Sequence, residues 1–307
     1  MKKLLLLLFL IPNVALSLSK CPKDESLLWT NCVGSVTFKE GGTYVGEFKD
    51  NLRHGHGIYT FASGTTIEGD FKDGINTGKC TTIYGEKGKS PKGTIYKGFC
   101  KDGMSHGKGF VEFPDGRSYE GIWKDQNFTQ GIGKFVSNKG TVIFFGQFSK
   151  NYQLNGSAVI LEEDRIYSGS WKNNKQHGKG IQINPNKDIW IGEWQDGKFI
   201  SYPAKCDDSS KIWNDCYGTT AWEDGTAYTG EFKNDIPDGL GFVIHPSGNK
   251  KGGEVKEWQE GFGFEIKVDG EMHLGEFKNN LLNGYGAIIF NDGTIKVGEF
   301  KEGDFIK

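Results

Sequence analysis

The sequence predicts an all-β chain, an elongated single-layer antiparallel sheet of tandem β-hairpins arranged in two arrays. Three observations predict it. First, one frame recurs along the chain: an aromatic residue, Gly two later, an aromatic two after that, a polar turn, then Gly-x-Gly. Its first positions fall at Tyr44, Ile67, Tyr96, Tyr119, Phe144, Tyr167 and Trp190, then at Tyr228, Lys251, His273 and Lys296, and six of the ten intervals are 23 residues. Self-similarity at a fixed period of this size is the mark of a repeat array. Second, each copy alternates with period two, as a strand with one buried face does. Third, no long stretch shows apolar residues at helical spacing, and each of the 46 Gly would cost a helix about 1 kcal/mol.

The unit is clearest at Tyr44–Thr66. Tyr44, Gly46 and Phe48 alternate with Val45, Glu47 and Lys49, and Asp50-Asn51 supplies turn chemistry. Gly55, Gly57, Tyr59 and Phe61 alternate again, and Ser63-Gly64 turns the chain into the next copy. Each copy is therefore two short antiparallel strands. The turn at Gly64 is expected to place Gly57 roughly opposite Phe71, where the missing Cβ leaves room for the ring.

The stretches YVGEFKDNLRHGHG, YKGFCKDGMSHGKG, YSGSWKNNKQHGKG, YTGEFKNDIPDGLG and HLGEFKNNLLNGYG resemble the MORN (membrane occupation and recognition nexus) repeat over nearly all of residues 44–307. The resemblance implies an elongated, twisted, single-layer antiparallel sheet. It implies no enzymatic activity and no cofactor.

Residues 1–17, MKKLLLLLFLIPNVALS, read as a cleaved signal peptide: two Lys, an apolar run too short to span a bilayer, then small residues at the cleavage site. Export to a periplasmic or extracellular space is the expected localisation. Loss of Lys2 and Lys3 would take the formal charge from −2 to −4.

The mature chain is expected as two parts, residues 18–203 and 204–307, each a Cys-bracketed cap followed by an array. Cys21 and Cys32 flank Trp29, and Cys206 and Cys216 flank Trp213. In both, Trp lies three residues before the second Cys, Gly two after it and the first frame aromatic twelve after it. This is an internal duplication, and open edge strands need such caps. Disulfides Cys21–Cys32 and Cys206–Cys216 are expected in an oxidising compartment. Cys80 and Cys100 occupy positions equivalent to Gly57 and Phe48, so a third, cross-strand bridge is expected to brace a hairpin with an extended loop. The first array weakens at Ser201-Tyr202-Pro203. In the second, one copy carries Lys251 and Val255 in place of its rings.

Catalytic readings find little. His54, His106 and His177 share one frame position, but copies two repeats apart are about 20 Å apart, too far for one metal ion. Glu47, Asp70, Glu193, Glu231, Glu276 and Glu299 share an outward position. Neighbours there lie about 10 Å apart, wider than a glycosidase pair at roughly 5–9.5 Å. No phosphate loop, nucleophile motif or metal motif is present, so no cofactor or metal is expected. Asn127-Phe-Thr129 and Asn155-Gly-Ser157 fit glycosylation sequons. The acidic mature chain argues against nucleic acid.

The rings are the informative surface. Tyr44, Phe48, Tyr119, Trp123, Tyr167, Trp171, Trp190, Trp194, Tyr228 and Phe232 should line one face. They either form the core by packing on one another and on Gly, or leave an aromatic groove open to a partner. The expected function is a non-enzymatic interaction scaffold whose partner is another protein or a second copy. The alternative is a cell-envelope binder that stacks glycan or membrane lipid on the rings.

Overall fold

A computed structural model describes residues 18–24, 26–137, 140–162, 165–207, 209, 212–256 and 260–306. The segment read as a signal peptide, 1–17, lies outside the described residues. The described chain is β throughout apart from one 3₁₀ turn, Lys150–Tyr152. It divides into two compact units, residues up to Pro114 and residues from Asp115.

In the first unit the strands Cys32–Thr37, Thr43–Lys49, Leu52–Thr60, Thr66–Lys72, Ile75–Ile83, Ile95–Lys101 and Met104–Glu112 pair antiparallel in chain order. Each copy supplies two of them. The turn within a copy is two residues long, and Asp50 and Asn51 both take positive φ, 51° and 61°. Asn and Asp tolerate that conformation and give the tight hairpin that matches strand twist.

The register differs from the expected one by two residues. Gly57 stands opposite Gly69, and Phe71 stands opposite Gly55. Gly46, Gly57 and Gly69 thus line up across three strands. The reason is the ring of Tyr44, which lies over this row from a diagonal position. A Cβ on Gly57 would sit 2.3 Å from the Tyr44 hydroxyl and 2.5 Å from its ring. The same offset applies to the cysteines. Cys100 pairs with Gly78, and Cys80 with Gly98, so the Cys80–Cys100 disulfide runs diagonally across the two strands.

Disulfides Cys21–Cys32 and Cys206–Cys216 also form. The two brackets are built alike. The Trp29 backbone N–H donates to Asn51 Oδ1 at 2.7 Å, and the Trp213 backbone N–H donates to Asp235 Oδ1 at 2.6 Å. Each indole meets the next frame ring edge-on, Trp29 on Phe48 at 4.9 Å and Trp213 on Phe232 at 5.0 Å. Each also covers the glycine that follows the second Cys, Gly34 and Gly218.

The second unit holds two sheets. One contains Ser118–Lys124, Asn127–Ser137, Gly140–Ser149, Gln153–Glu162, Arg165–Lys172, Lys175–Ile183, Ile189–Gln195 and Lys198–Ser201. The other contains Cys216–Ala221, Ala227–Lys233, Ile236–Ile244, Lys250–Val255, Gly261–Ile266, Met272–Lys278, Leu281–Ile289, Ile295–Lys301 and Asp304–Phe305. Each is a single layer of hairpins, and the two layers lie face to face, an arrangement the frame leaves open. The shared core is the face opposite the rings: Ile132, Phe145, Val159, Ile181 and Ile191 from one sheet meet Leu240, Phe242, Phe264, Leu274 and Ala287 from the other. At the rim Lys179 Nζ reaches Glu231 at 2.7 Å.

The second frame position contributes to the stacking. It carries Val45, Glu68 and Lys97 in the first unit; in the second it carries Phe145, Ile191, Leu274 and Val297 in four copies and Glu120, Ser168, Thr229 and Gly252 in the other four. Residues 115–203 and 204–307 fall in one compact unit, and the chain changes sheet between Ser201 and Cys216.

Candidate interaction surface

Eight of the ten frame rings are buried: Tyr44, Phe48, Tyr119, Trp123, Tyr167, Trp194, Tyr228 and Phe232. Trp171 and Trp190 are half-buried. They close on one another edge-to-face, Tyr44 on Phe48 at 5.2 Å and on Phe71 at 5.0 Å, Tyr167 on Trp171 at 5.3 Å and on Trp194 at 5.2 Å. That geometry suits the ring quadrupoles.

The hydroxyls are used the same way in four copies. Tyr44, Tyr96, Tyr167 and Tyr228 each donate to the carbonyl three residues on, those of Glu47, Phe99, Ser170 and Glu231. Burial pushes the pKa of all four phenols far above the usual tyrosine value. Along these copies the face expected to receive a partner is therefore the core of each sheet. Its rings fill the space a groove would need.

In the second sheet the face opens where the frame departs from rings. Across the second sheet the first-position row runs Tyr228, Val243, Lys251, Glu265, His273, Ile288, Lys296. Charges thus replace rings at its centre. Glu265 is 4% exposed and is held by Lys267 at 2.9 Å, Lys251 at 3.7 Å and His273 at 3.9 Å. A buried carboxylate needs such partners. The Lys251 ammonium donates to the Asn280 carbonyl at 3.0 Å and to Asn280 Oδ1 at 3.3 Å, and lies 5.9 Å from the Phe277 ring centre. Burial holds Lys251 below its usual pKa, with Glu265 opposing the shift. Burial and then Lys251 hold His245 below the ordinary histidine value, which favours the neutral imidazole.

With Lys251 and Val255 in place of two rings, a cleft of about 440 Å³ remains. Trp222, His245, Val255, Phe277 and Asn280 are among its walls. Trp222 is 37% exposed, so an aromatic surface is presented there. The sequence reading noted the two missing rings but not the cleft. Glu265 was findable, because it stands where Tyr59 stands in the first copy. Trp222 and Phe277 were not, because only strand order brings them to the same opening. The arrangement can bind. Glu265, the buried carboxylate beside it, is committed to Lys251, Lys267 and His273.

The histidines on the outward face are ion-pair partners: His54 Nδ1 lies 3.9 Å from Asp73, and His56 Nε2 lies 3.5 Å from Glu68. Among the described residues no three His, Cys, Asp or Glu side chains are grouped to hold a metal ion.

Comparison with known proteins agrees with the repeat frame. Residues 44–66, 96–116, 167–189, 228–250 and 273–295 match the family model of the MORN repeat. The chain carries five such repeats by that measure. Over 162 residues, 50% of this chain, it is 30% identical to alsin of Homo sapiens and 29% identical to alsin of Mus musculus. The match spans 9% of the length of those relatives. Among solved structures, it aligns with the TCP10 domain of Danio rerio CPAP in complex with a peptide of Danio rerio STIL, at 11% identity over 87% of this chain and 93% of that one, TM-score 0.23. It also aligns with the TCP10c domain of Drosophila melanogaster Sas-4, at 11% identity over 52% of this chain and 91% of that one, TM-score 0.27. At these scores nothing further follows from either likeness.

Proposed function

We propose that this protein is an exported, non-enzymatic MORN-repeat scaffold that binds another protein, with the cleft beside Lys251 and Val255 receiving an apolar or aromatic group of the partner. The observation that carries this reading is a cleft of about 440 Å³ on the ring-bearing side of the second sheet, where Lys251 and Val255 stand in place of two rings. Aromatic and apolar walls with a few fixed polar groups are what a binding pocket uses. Three disulfides support an oxidising compartment, and residues 1–17 would direct the chain there.

The test is photocrosslinking in living cells from a benzophenone side chain placed at Asn280, with and without Val255→Phe. That substitution restores the frame ring and fills the cleft. A discrete protein adduct that disappears in Val255→Phe supports the scaffold. Adducts to glycan or lipid without protein overturn it in favour of an envelope-ligand binder, a reading favoured by the exposed Trp222 wall. An unchanged adduct in Val255→Phe removes the cleft from the interface.

A further inference from the structure

Charge is unevenly spread along this acidic chain. Residues 77–111 hold seven lysines and two acids, a local balance of +5, whereas the remaining 30 basic and 37 acidic residues balance at −7. This segment is the hairpin with the extended loop, pinned by the Cys80–Cys100 disulfide.

On the outward face of its strands Lys79 and Lys97 alternate with Phe99 and Phe110, while Lys87, Lys89 and Lys92 lie in the loop. Lys79 stands opposite Phe99 on the neighbouring strand, and Lys97 stands opposite Phe110 on the next. Each ring is thus flanked by a cation across the strands, at the short separations of directly opposed pairs. Phe99 is 47% exposed. It occupies the outward position that holds an acid in seven of the ten other copies, Glu47 and Asp70 among them. A ring in water where the frame otherwise places a carboxylate gives the folded sheet no packing gain. The neighbouring outward acids Glu68 and Asp70 are engaged by His56, at 3.5 Å and 3.6 Å. Among the described residues, Lys79 and Lys97 have no ion-pair partner.

We propose that this face binds an extended anionic saccharide, its sulfates or carboxylates on the lysines and its sugar rings against Phe99 and Phe110. Three features select that class. The surface is flat and sits on strands paired on both edges, so a peptide cannot add as a strand to Ile95–Lys101. Its cations are lysines, point charges that follow a line of anions without demanding bidentate geometry. The exposed ring of Phe99 and the half-buried ring of Phe110 offer the apolar faces that pyranose C–H groups stack on, which a purely electrostatic ligand would not need. The disulfide and the sheet hold the groups in place, so little ordering is lost on binding.

The test uses the full mature chain with its disulfides oxidised, titrated with a heparin octasaccharide and, separately, with a polyglutamate peptide of matched charge. Binding is expected to weaken as salt rises, because condensed counterions are released. Lys79→Glu with Lys97→Glu should weaken octasaccharide binding at least tenfold. Phe99→Ser should weaken it about three- to tenfold while leaving the salt dependence unchanged. All three positions are exposed, and an unaltered melting temperature confirms folding. The proposal is overturned by no octasaccharide binding, by equal affinity for polyglutamate, by indifference to the lysine reversals, or by indifference to Phe99→Ser. None of these outcomes bears on the cleft in the second unit.

Discussion

Leu274 and Val45 occupy the same position of the repeat, directly after the first frame residue, and alanine at each should have opposite consequences. Leu274 is 0% exposed and belongs to the core between the two sheets of the second unit. Val45 is 47% exposed on the outward face of the first. Truncating a fully buried leucine removes its transfer free energy and leaves a cavity, at a cost of about 2–5 kcal/mol. Facing sheets are rigid layers about 10 Å apart and close poorly over a hole, so a value near 3 kcal/mol is expected by the same series. For a unit of this size each kcal/mol lowers the melting temperature by roughly 2–4 °C, so Leu274→Ala should lower it by about 6–12 °C. Val45→Ala should change stability by no more than about 0.5 kcal/mol. Calorimetry of the disulfide-intact chain reads both, and the second unit's transition should carry the shift. A Leu274→Ala variant within 0.5 kcal/mol of the parent, or a Val45→Ala variant as damaged as Leu274→Ala, would refute the stacked-sheet core.

Two other perturbations test the hairpins themselves. Gly57→Ala should cost about 1–3 kcal/mol in urea unfolding, because its Cβ would meet the Tyr44 ring at 2.5 Å; a neutral result would show that rings over glycine do not set the register. Replacing both Cys80 and Cys100 by Ser opens a loop with a sequence separation of 20 and should cost about 3 kcal/mol in the chain-entropy model. A loss below about 0.5 kcal/mol, with the other two disulfides intact, would show that the hairpin is held by its strands alone.

Much of this protein was readable from its residues. The 23-residue frame names the strands, and Asp50-Asn51 and its equivalents name the turns, because only a few residue types accept their backbone conformation. The Cys–Trp–Cys brackets name the caps, and their duplication shows that the chain starts a sheet twice. These features are local, and period-two alternation reports them directly. The register was off by two residues for a reason that is not local. A ring does not point straight across at its partner glycine but leans over a row of glycines, and Gly57 faces Gly69 to make room.

Tertiary structure alone decided what the two faces of the sheets do. The sequence offers rings on one face and cannot say whether they close, since closure depends on rings of one strand and of the next but one meeting at about 5 Å. It offers Phe145, Ile191 and Leu274 where other copies have Glu68 or Lys97, but a layer forms only when two such faces distant in sequence are brought together. The cleft likewise exists because two absent rings lie between Trp222 and Phe277, residues that share a wall only after the strands between them have paired. Periodicity determines which strands exist and which side chains share a face; burial, which depends on what arrives over that face from elsewhere in the chain, determines whether the face becomes a core or a surface.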